Sequence, residues 1–250
     1  MKNSTLSVIV VLTTLSLGFR AKAAENTGPS ATVSTYIADK YLGFATGNVL
    51  SRDPVIQSDI FISWKNGLYI DLWNSRSLRG TWDNGSLGNE VDYIVGWKGM
   101  IATNLTLNVT VGYLDEPKAF TLGAGDILYP HAFLTRDFKY LSVTAGFENY
   151  TTMPRSGFQG GNLISLGVSK YQSLWNSKIG LRASVVGVYD DGTLGSGKGF
   201  ILRGGTGVDW HITKRLTVNV IGVNWYVPLT PHDKRVANTM VYSGLTFKVN

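Results

Sequence analysis

The chain has 250 residues, no cysteine and a formal net charge of +6. The lack of cysteine excludes disulfides and thiolate metal sites. Three of the basic residues, Lys2, Arg20 and Lys22, precede a predicted cleavage site, so the remainder of the chain carries a formal charge of only +3. A charge this small gives no reason to expect a nucleic-acid partner.

The first residues have the pattern of a secretory signal peptide. Lys2 supplies a positive start, residues 6–19 are mostly apolar, and Ala21 and Ala23 form a small-x-small cleavage site. The apolar run is shorter than the ~20 residues that a transmembrane helix needs. The sequence therefore predicts a signal peptide over residues 1–23 and a single exported domain over residues 24–250. Since no later apolar run is long enough for a helical span, any membrane crossing must be made by strands.

Taken in chain order, the rest of the sequence alternates between apolar and polar residues in twelve segments. The predicted strands cover residues 31–42, 54–64, 68–75, 88–98, 104–114, 128–137, 140–150, 163–171, 178–189, 200–212, 215–226 and 238–249. Most are near the ~9–11 residues of a tilted transmembrane strand. We predict about twelve strands, with ten as the alternative.

The pair of strands between residues 89 and 113 indicates which side of the sheet faces water. Apolar residues occupy one face of both strands, whereas Glu90 and Asp92 share the other face with small and polar residues. Unpaired carboxylates cannot fill the core of a soluble sandwich. They can line a wet interior when the apolar face contacts lipid, as in a transmembrane β-barrel.

The connections between the predicted strands alternate in length. Short links at 65–67, 99–102, 138–139, 172–177 and 213–214 alternate with long ones at 43–53, 76–87, 115–127, 151–162, 190–199 and 227–237. Barrels of the bacterial outer membrane have short periplasmic turns and longer outer loops. This regular alternation is the strongest argument for the fold, because a soluble sandwich gives no reason for it.

Aromatic residues at the strand ends predict two girdles at the membrane surfaces. Trp64, Trp97 and Trp210 lie on the apolar face at the periplasmic ends of their strands, and Tyr113 and Tyr189 lie on it at the outer ends. Amphipathic rings prefer the headgroup level of a bilayer.

The last predicted strand carries an outer-membrane assembly pattern, formed by Gly244, Phe247 and Val249. It resembles the C-terminal signal read by the barrel-assembly machinery, which we therefore expect as a partner during biogenesis. Proteins with this signal usually end on the aromatic residue, whereas Phe247 is followed by three further residues.

Two stretches in the N-terminal third of the domain carry a family resemblance. They are Ser34-Thr35-Tyr36 leading to Tyr41-Leu42-Gly43, and Asn66 to Ser75, which reads as a Gly-x-Tyr strand that ends in Trp, Asn and Ser. With these stretches the chain resembles the TorF-type porins of proteobacteria. Leu42 stands where the family often has an arginine before the glycine. The resemblance implies an outer-membrane barrel with a porin function.

No sequence pattern supports an enzyme, a cofactor site or a metal site. Residues 192–198 have the spacing of a phosphate-binding loop, but Gly199 and the strand that follows replace the hydroxyl residue and the helix that such a loop needs. His131, His211 and His232 are scattered, and no Gly-x-Ser-x-Gly is present. A spatial pairing of His131 with Ser156 stays open. We expect no catalytic activity.

The polar face of the predicted strands supplies the candidate pore lining. These residues are Asp59, Asp71, Glu90, Asp92, Asn108, Glu148, Arg182, Arg203 and Asp209. Acids dominate the first seven predicted strands, and the two arginines follow on the ninth and tenth. The charges could produce a field across an open lumen, or pair with each other and fill it. Twelve strands lie between the filled eight-strand barrel and the open barrel of ~16–18 strands.

The sequence thus predicts an all-β, antiparallel up-and-down barrel in the outer membrane of a Gram-negative bacterium. The predicted function is that of a porin for passive diffusion of small hydrophilic solutes or ions, with outer-membrane lipid as its surroundings. An outer-membrane lipid hydrolase, and a structural or adhesive barrel with binding outer loops, remain as alternatives. The solute, the charge selectivity and the oligomeric state are not given by the sequence.

Overall fold

The computed structural model describes residues 28–43, 45–79, 89–115, 126–152, 159–230 and 235–249, so the predicted signal peptide lies outside the described residues. Twelve long strands form one sheet: β1 (Ser30–Ala38), β4 (Val55–Ser63), β5 (Leu68–Ser77), β6 (Glu90–Ala102), β7 (Leu105–Asp115), β8 (Ile127–Asp137), β9 (Ser142–Thr152), β10 (Gly161–Leu174), β11 (Ile179–Asp190), β12 (Gly199–His211), β13 (Leu216–Pro228) and β14 (Asn238–Val249). Two short strands, β2 (Tyr41–Leu42) and β3 (Val49–Ser51), form a separate hairpin. In the described part of the chain, no helix is long and apolar enough to cross a membrane.

The twelve long strands close into an antiparallel up-and-down barrel. Each pairs with its neighbours in the chain, and β1 closes the ring by pairing with β14 on one side and β4 on the other. Closure gives each of the twelve long strands a partner on both sides, so the backbone groups of this sheet are satisfied internally. The predicted all-β barrel of twelve strands is confirmed.

The two ends of the barrel differ in the length of their connections. The links at 64–67, 103–104, 138–141, 175–178 and 212–215 lie at one end, here named the turn end, together with Ser30 and Val249. The strand ends that flank the six longer connections lie at the opposite end of the barrel, here named the loop end. Strand ends differ from the predicted ones by a few residues; for example, β6 continues to Ala102 and β10 to Leu174.

The first predicted strand is wrong beyond Ala38. The pairing of β1 with β4 ends at Ala38, where Val241 donates its N–H to Asp39 Oδ1, and Tyr41 and Leu42 belong instead to the β2–β3 hairpin. Both are buried, at 8% and 4% exposure, although they are consecutive. Consecutive residues of a barrel strand face opposite sides, so two buried neighbours indicate a segment surrounded by protein on both sides.

The outer face of the barrel is apolar and exposed. Val95 at the middle of β6 is 59% exposed, and Leu166 on β10 is 63% exposed. A bulge between Asn219 and Gly222 on β13 even turns two consecutive residues, Val220 and Ile221, to this face. An exposed apolar surface that continues around the ring is the surface that contact with lipid requires.

The inner face combines glycine with tyrosine on neighbouring strands. The ring of Tyr129 on β8 covers Gly112 on β7, where a Cβ would lie 2.1 Å from Tyr129 Cζ. The ring of Tyr36 on β1 covers Gly244 on β14 in the same way. Glycine is needed at these two positions because the ring occupies the space of a side chain.

Pro130 lies inside β8, on the outer face. Pairing between β8 and β9 is interrupted at Tyr129 and Pro130, while Pro130 remains opposite Val111 of β7. Because proline has no N–H to donate, it can keep its place in the strand only where the ladder on one side is open.

Candidate functional site

The segment between β1 and β4 crosses the interior of the barrel. The Tyr41 hydroxyl donates a hydrogen bond to Glu90 on β6, and four residues later the carbonyl of Ala45 accepts one from Arg203 Nη1 on β12, at 3.1 Å. In the ring of twelve strands, β6 and β12 are diametrically opposite. The segment that contacts both must therefore span the lumen, and we name the residues between 39 and 54 the inner hairpin.

Packing around the inner hairpin is tight. Thr46 is 2% exposed, and a Cβ at Gly47 would lie 2.2 Å from the ring of Tyr226 on β13. Gly47 has a φ of +73°, a conformation that side chains other than glycine's rarely adopt. Asn48 Nδ2 donates to Ser196 Oγ in the connection after β11, at 3.2 Å. These contacts hold the hairpin to the side of the barrel formed by β11, β12 and β13, opposite Glu90 on β6.

Tyr41 is a hydrogen-bond donor at neutral pH. Burial raises the pKa of its phenol well above the ordinary value, and the charges of Glu90 and Asp92 raise this pKa further. The proton therefore stays on Tyr41, which is the form that can donate to the Glu90 carboxylate.

A buried ion pair lies directly beside the hairpin. Arg203 Nη2 on β12 contacts Glu148 Oε1 on β9 at 2.7 Å, and both side chains are 5% exposed. Tyr150 donates a second hydrogen bond to Glu148 Oε2, at 3.2 Å. One guanidinium thus joins a charge on β9 to the backbone of the hairpin.

A second ion pair lies on the same wall, closer to the turn end. Arg182 Nε on β11 is 3.4 Å from Asp209 Oδ2 on β12, and Arg182 Nη1 donates to the Tyr242 hydroxyl at 2.9 Å. Asn219 Nδ2 donates to Asp209 Oδ1 at 2.7 Å. Arg182 and Arg203, the two predicted luminal arginines, are therefore each held by a carboxylate.

The wall formed by β4, β5 and β6 carries three aspartates. Asp59, Asp71 and Asp92 lie there on three adjacent strands, and the Tyr129 hydroxyl donates to Asp92 Oδ2 at 2.8 Å. One oxygen of each of the three aspartates is buried and, within the described residues, receives no hydrogen bond. Asn108, on β7, accepts a hydrogen bond from the Tyr69 hydroxyl at 2.9 Å.

The space left inside the barrel is divided by the hairpin. A cavity of about 540 Å³ lies between the hairpin and the walls that carry Glu90, Asp92, Tyr129, Glu148 and Arg203. A second space of about 260 Å³ lies at the wall of Trp73 and Asp92. A third, of about 290 Å³, lies toward the turn end beside Arg182 and Tyr242.

The predicted girdle residues lie at both ends of the barrel. Trp64 and Trp210 are exposed near the turn end, and Trp97 Nε1 donates to the carbonyl of Asn66 in a turn, at 2.9 Å. Near the loop end, the ring of Tyr113 faces that of Tyr93 at 6.5 Å. The ring of Tyr189, also near the loop end, faces that of Phe200 at 5.2 Å.

The residues of the predicted assembly pattern share β14 but have different surroundings. Phe247 and Val249 are each 46% exposed on the outer face, opposite Val33 and Ala31 of β1. Gly244 lies on the inner face beneath Tyr36.

Aromatic side chains of the interior were missed by the sequence reasoning. Trp73, Tyr129, His131 and Tyr150 face inward, and the ring of Tyr129 is 6.0 Å from that of Tyr150. The signal was present, since Trp73 has the same parity as Asp71. A rule that assigns apolar side chains to the lipid face does not identify these rings as part of the interior.

The histidines show no catalytic arrangement in the described residues. His131 is surrounded by the rings of Tyr129, Phe133 and Tyr150, and His211 contacts the Tyr171 hydroxyl through Nε2 at 2.7 Å.

His232 and Ser156 lie outside the described part of the chain. Within that part, no three His, Asp or Glu side chains are grouped closely enough to hold a metal ion. Residues 192–198 continue into strand β12, as the sequence predicts, and form no helix N-terminus after the lysine.

The fold is shared with outer-membrane porins. The structure matches the KdgM porin with a TM-score of 0.56 and 8% identity, over 88% of this chain and 99% of that one. It matches the NanC porin with a TM-score of 0.56 and 12% identity, over 88% and 100%. It matches the COG4313 outer membrane channel from Pseudomonas putida F1 with a TM-score of 0.50 and 12% identity, over 90% and 97%.

At these identities the likeness shows the fold alone. No protein-family model and no curated protein sequence matches the chain.

Proposed function

We propose that the chain forms a narrow pore in the bacterial outer membrane, through which small hydrophilic solutes or ions diffuse passively. The observation that carries this proposal is a closed barrel that is apolar outside and contains polar side chains and open space inside. The porin fold of its structural neighbours supports the same function. The loop end then faces the exterior, because outer-membrane barrels have their long connections there.

The inner hairpin sets the width of this pore. It joins opposite walls through Tyr41 and Ala45 and leaves separate spaces of about 540 Å³ and 260 Å³ beside it. Solutes must pass around the hairpin, so we expect a small conductance and passage only of small molecules.

The pore lining in this proposal is the set chosen from the sequence. It comprises Asp59, Asp71, Glu90, Asp92, Asn108, Glu148, Arg182, Arg203 and Asp209. Its support is that Arg182 binds Asp209 and Arg203 binds Glu148, so both luminal arginines and their acids lie on the wall of β9 to β12. The space of about 260 Å³ beside Trp73 and Asp92 lies at the opposite wall.

The proposal includes the export of the chain, its assembly in the membrane and its contact with lipid. A signal peptide over residues 1–23 directs export, the barrel-assembly machinery reads the end of β14, and the aromatic girdles lie at the lipid headgroups. The resemblance of residues 34–75 to TorF-type porins supports membership in that group of barrels.

Conductance in a planar lipid bilayer tests the proposed function. We expect purified, refolded protein to give discrete current steps in KCl, smaller than those of wide sixteen-stranded porins. The same preparation should migrate faster on a gel unheated than boiled, since a closed barrel resists detergent. An intact barrel without current steps would refute the pore, and ester hydrolysis by that preparation would favour a hydrolase instead.

A further inference from the structure

One ring on the inner wall is framed by three carboxylates. Trp73 on β5 lies in register with Asp59 on β4 and with Asp92 on β6. Asp71 is the next inward-facing residue on the strand of Trp73, and its carboxyl group is hydrogen-bonded to that of Asp59. The ring of Tyr41, from the inner hairpin, faces the Trp73 ring at a centroid distance of 5.7 Å.

The three carboxylates are incompletely satisfied. Oδ1 of Asp59, of Asp71 and of Asp92 is buried and receives no hydrogen bond from the described residues. The hydrogen bond between the carboxyl groups of Asp59 and Asp71 requires a proton on one of them, so their mutual repulsion is relieved. Burying the Asp92 oxygen without a partner is costly, and Asp92 lines the open space beside Trp73. A cation placed in that space would offset this cost.

Beside this wall is a space of suitable size and chemistry. The cavity of about 260 Å³ is lined by Trp73, Tyr41 and Asp92, together with Leu42, Gln57, Asn224 and Met240. Aromatic faces attract cations, with tryptophan the strongest, and the combination of rings and carboxylate suits an organic ammonium group. A metal ion would instead require several oxygen ligands close together, and no three acidic or histidine side chains of the described residues are close enough to provide them.

We propose that this wall binds small organic cations that carry an ammonium group, and that it makes them favoured solutes of the pore. The inference rests on the proposed function for its transport part, whereas the binding site exists in the isolated barrel. The arginines of the lumen do not offer a matching anion site, since Arg182 binds Asp209 and Arg203 binds Glu148.

Isothermal titration calorimetry on the full barrel in detergent tests the site. The probes are choline, its tert-butyl isostere in which carbon replaces the charged nitrogen, and pivalate, which carries the tert-butyl group on a carboxylate. These three compounds share a bulky head and differ in charge. We expect choline to bind at least about tenfold more tightly than either of the others, which is the range of a partly desolvated cation–π contact.

Two substitutions identify the site. Trp73→Leu removes the aromatic face but keeps an apolar side chain, and Asp92→Asn keeps the shape but removes the charge; each should weaken choline binding about tenfold. Trp210→Leu on the outer face and Asp137→Asn at the end of β8 make the same chemical changes elsewhere, and neither should alter binding. Trp73→Phe, which restores a ring, should recover part of the affinity.

The outcomes separate the site from the pore. Choline binding that depends on Trp73 and Asp92 supports the site even when no current is seen, and in that case only the pore fails. Equal binding of choline and its uncharged isostere, tighter binding of pivalate, or unchanged affinity in Trp73→Leu would overturn the site while leaving the pore intact. When both hold, choline should pass the pore more readily than pivalate in reversal-potential measurements.

Discussion

An arginine at the middle of β6 tests which face of the barrel contacts lipid. Val95 is 59% exposed and lies between Ile70 of β5 and Val111 of β7, in the centre of the apolar surface. A charged side chain at this depth cannot reach water, and on the lipid face of a barrel arginine near the bilayer midplane costs about 2–4 kcal/mol. Val95→Arg should therefore lower the free energy of unfolding by that amount in lipid vesicles.

The matched variant places the same side chain on the inner face. Asn108→Arg loses the hydrogen bond from Tyr69, worth about 1 kcal/mol, but the new guanidinium can be hydrated in the lumen. Both variants are compared by urea unfolding in vesicles, followed by tryptophan fluorescence, with Val95→Leu as a control for size. A larger loss for Asn108→Arg than for Val95→Arg would show that the apolar face is turned inward.

Three further changes test closure and packing. Deleting residues 244–250 removes the second half of β14, which pairs with β1 and β13, and leaves unpaired edges in lipid; the protein should be lost from the outer-membrane fraction, and normal amounts there would contradict the ring closure. Gly112→Ala places a methyl group within 2.1 Å of the Tyr129 ring and should cost about 1–3 kcal/mol in urea unfolding, whereas an unchanged midpoint would show that the ring moves freely. Arg235→Met leaves the buried Asp190 without its partner at 2.5 Å and should cost about 3–5 kcal/mol, so equal thermal stability would refute the buried pair.

The barrel itself could be predicted because its signal is local. A strand alternates its side chains with period two, so residues 105–113 show their two faces without knowledge of any partner strand. The same holds for the alternation of short and long connections, which follows once the strands are located. Strand number and strand order therefore agree with the sequence.

The inner hairpin could not be predicted in this way. The consecutive charged residues Asp39 and Lys40 interrupt the alternation of β1 after Ala38, but they indicate only a break and not where Tyr41 and Leu42 pack. The contact that fixes the departure, Arg203 with the carbonyl of Ala45, joins residues 158 positions apart. Likewise Arg203 on β12 contacts Glu148 on β9 across the two strands between them, and this contact depends on the tilt and stagger of the ring rather than on parity.

The anchoring of the hairpin by Arg203 makes a last prediction about pore width. The Arg203 side chain contacts both the hairpin, at the Ala45 carbonyl, and a buried acid, Glu148. Arg203→Met removes both contacts and leaves Glu148 uncompensated, a change that costs about 3–5 kcal/mol for a buried pair. Part of this loss is relieved when the hairpin leaves the wall and water reaches Glu148.

We therefore expect Arg203→Met to raise the mean single-channel conductance and to add rapid current fluctuations in planar bilayers. Arg182→Met is the matched control, because Arg182 is also a luminal arginine bound to a carboxylate but contacts Asp209 and Tyr242 rather than the hairpin. It removes the same positive charge from the lumen, so an effect of charge alone would appear in both variants, whereas release of the hairpin would appear only in Arg203→Met. A conductance rise in Arg182→Met with none in Arg203→Met would show that the hairpin does not limit the pore.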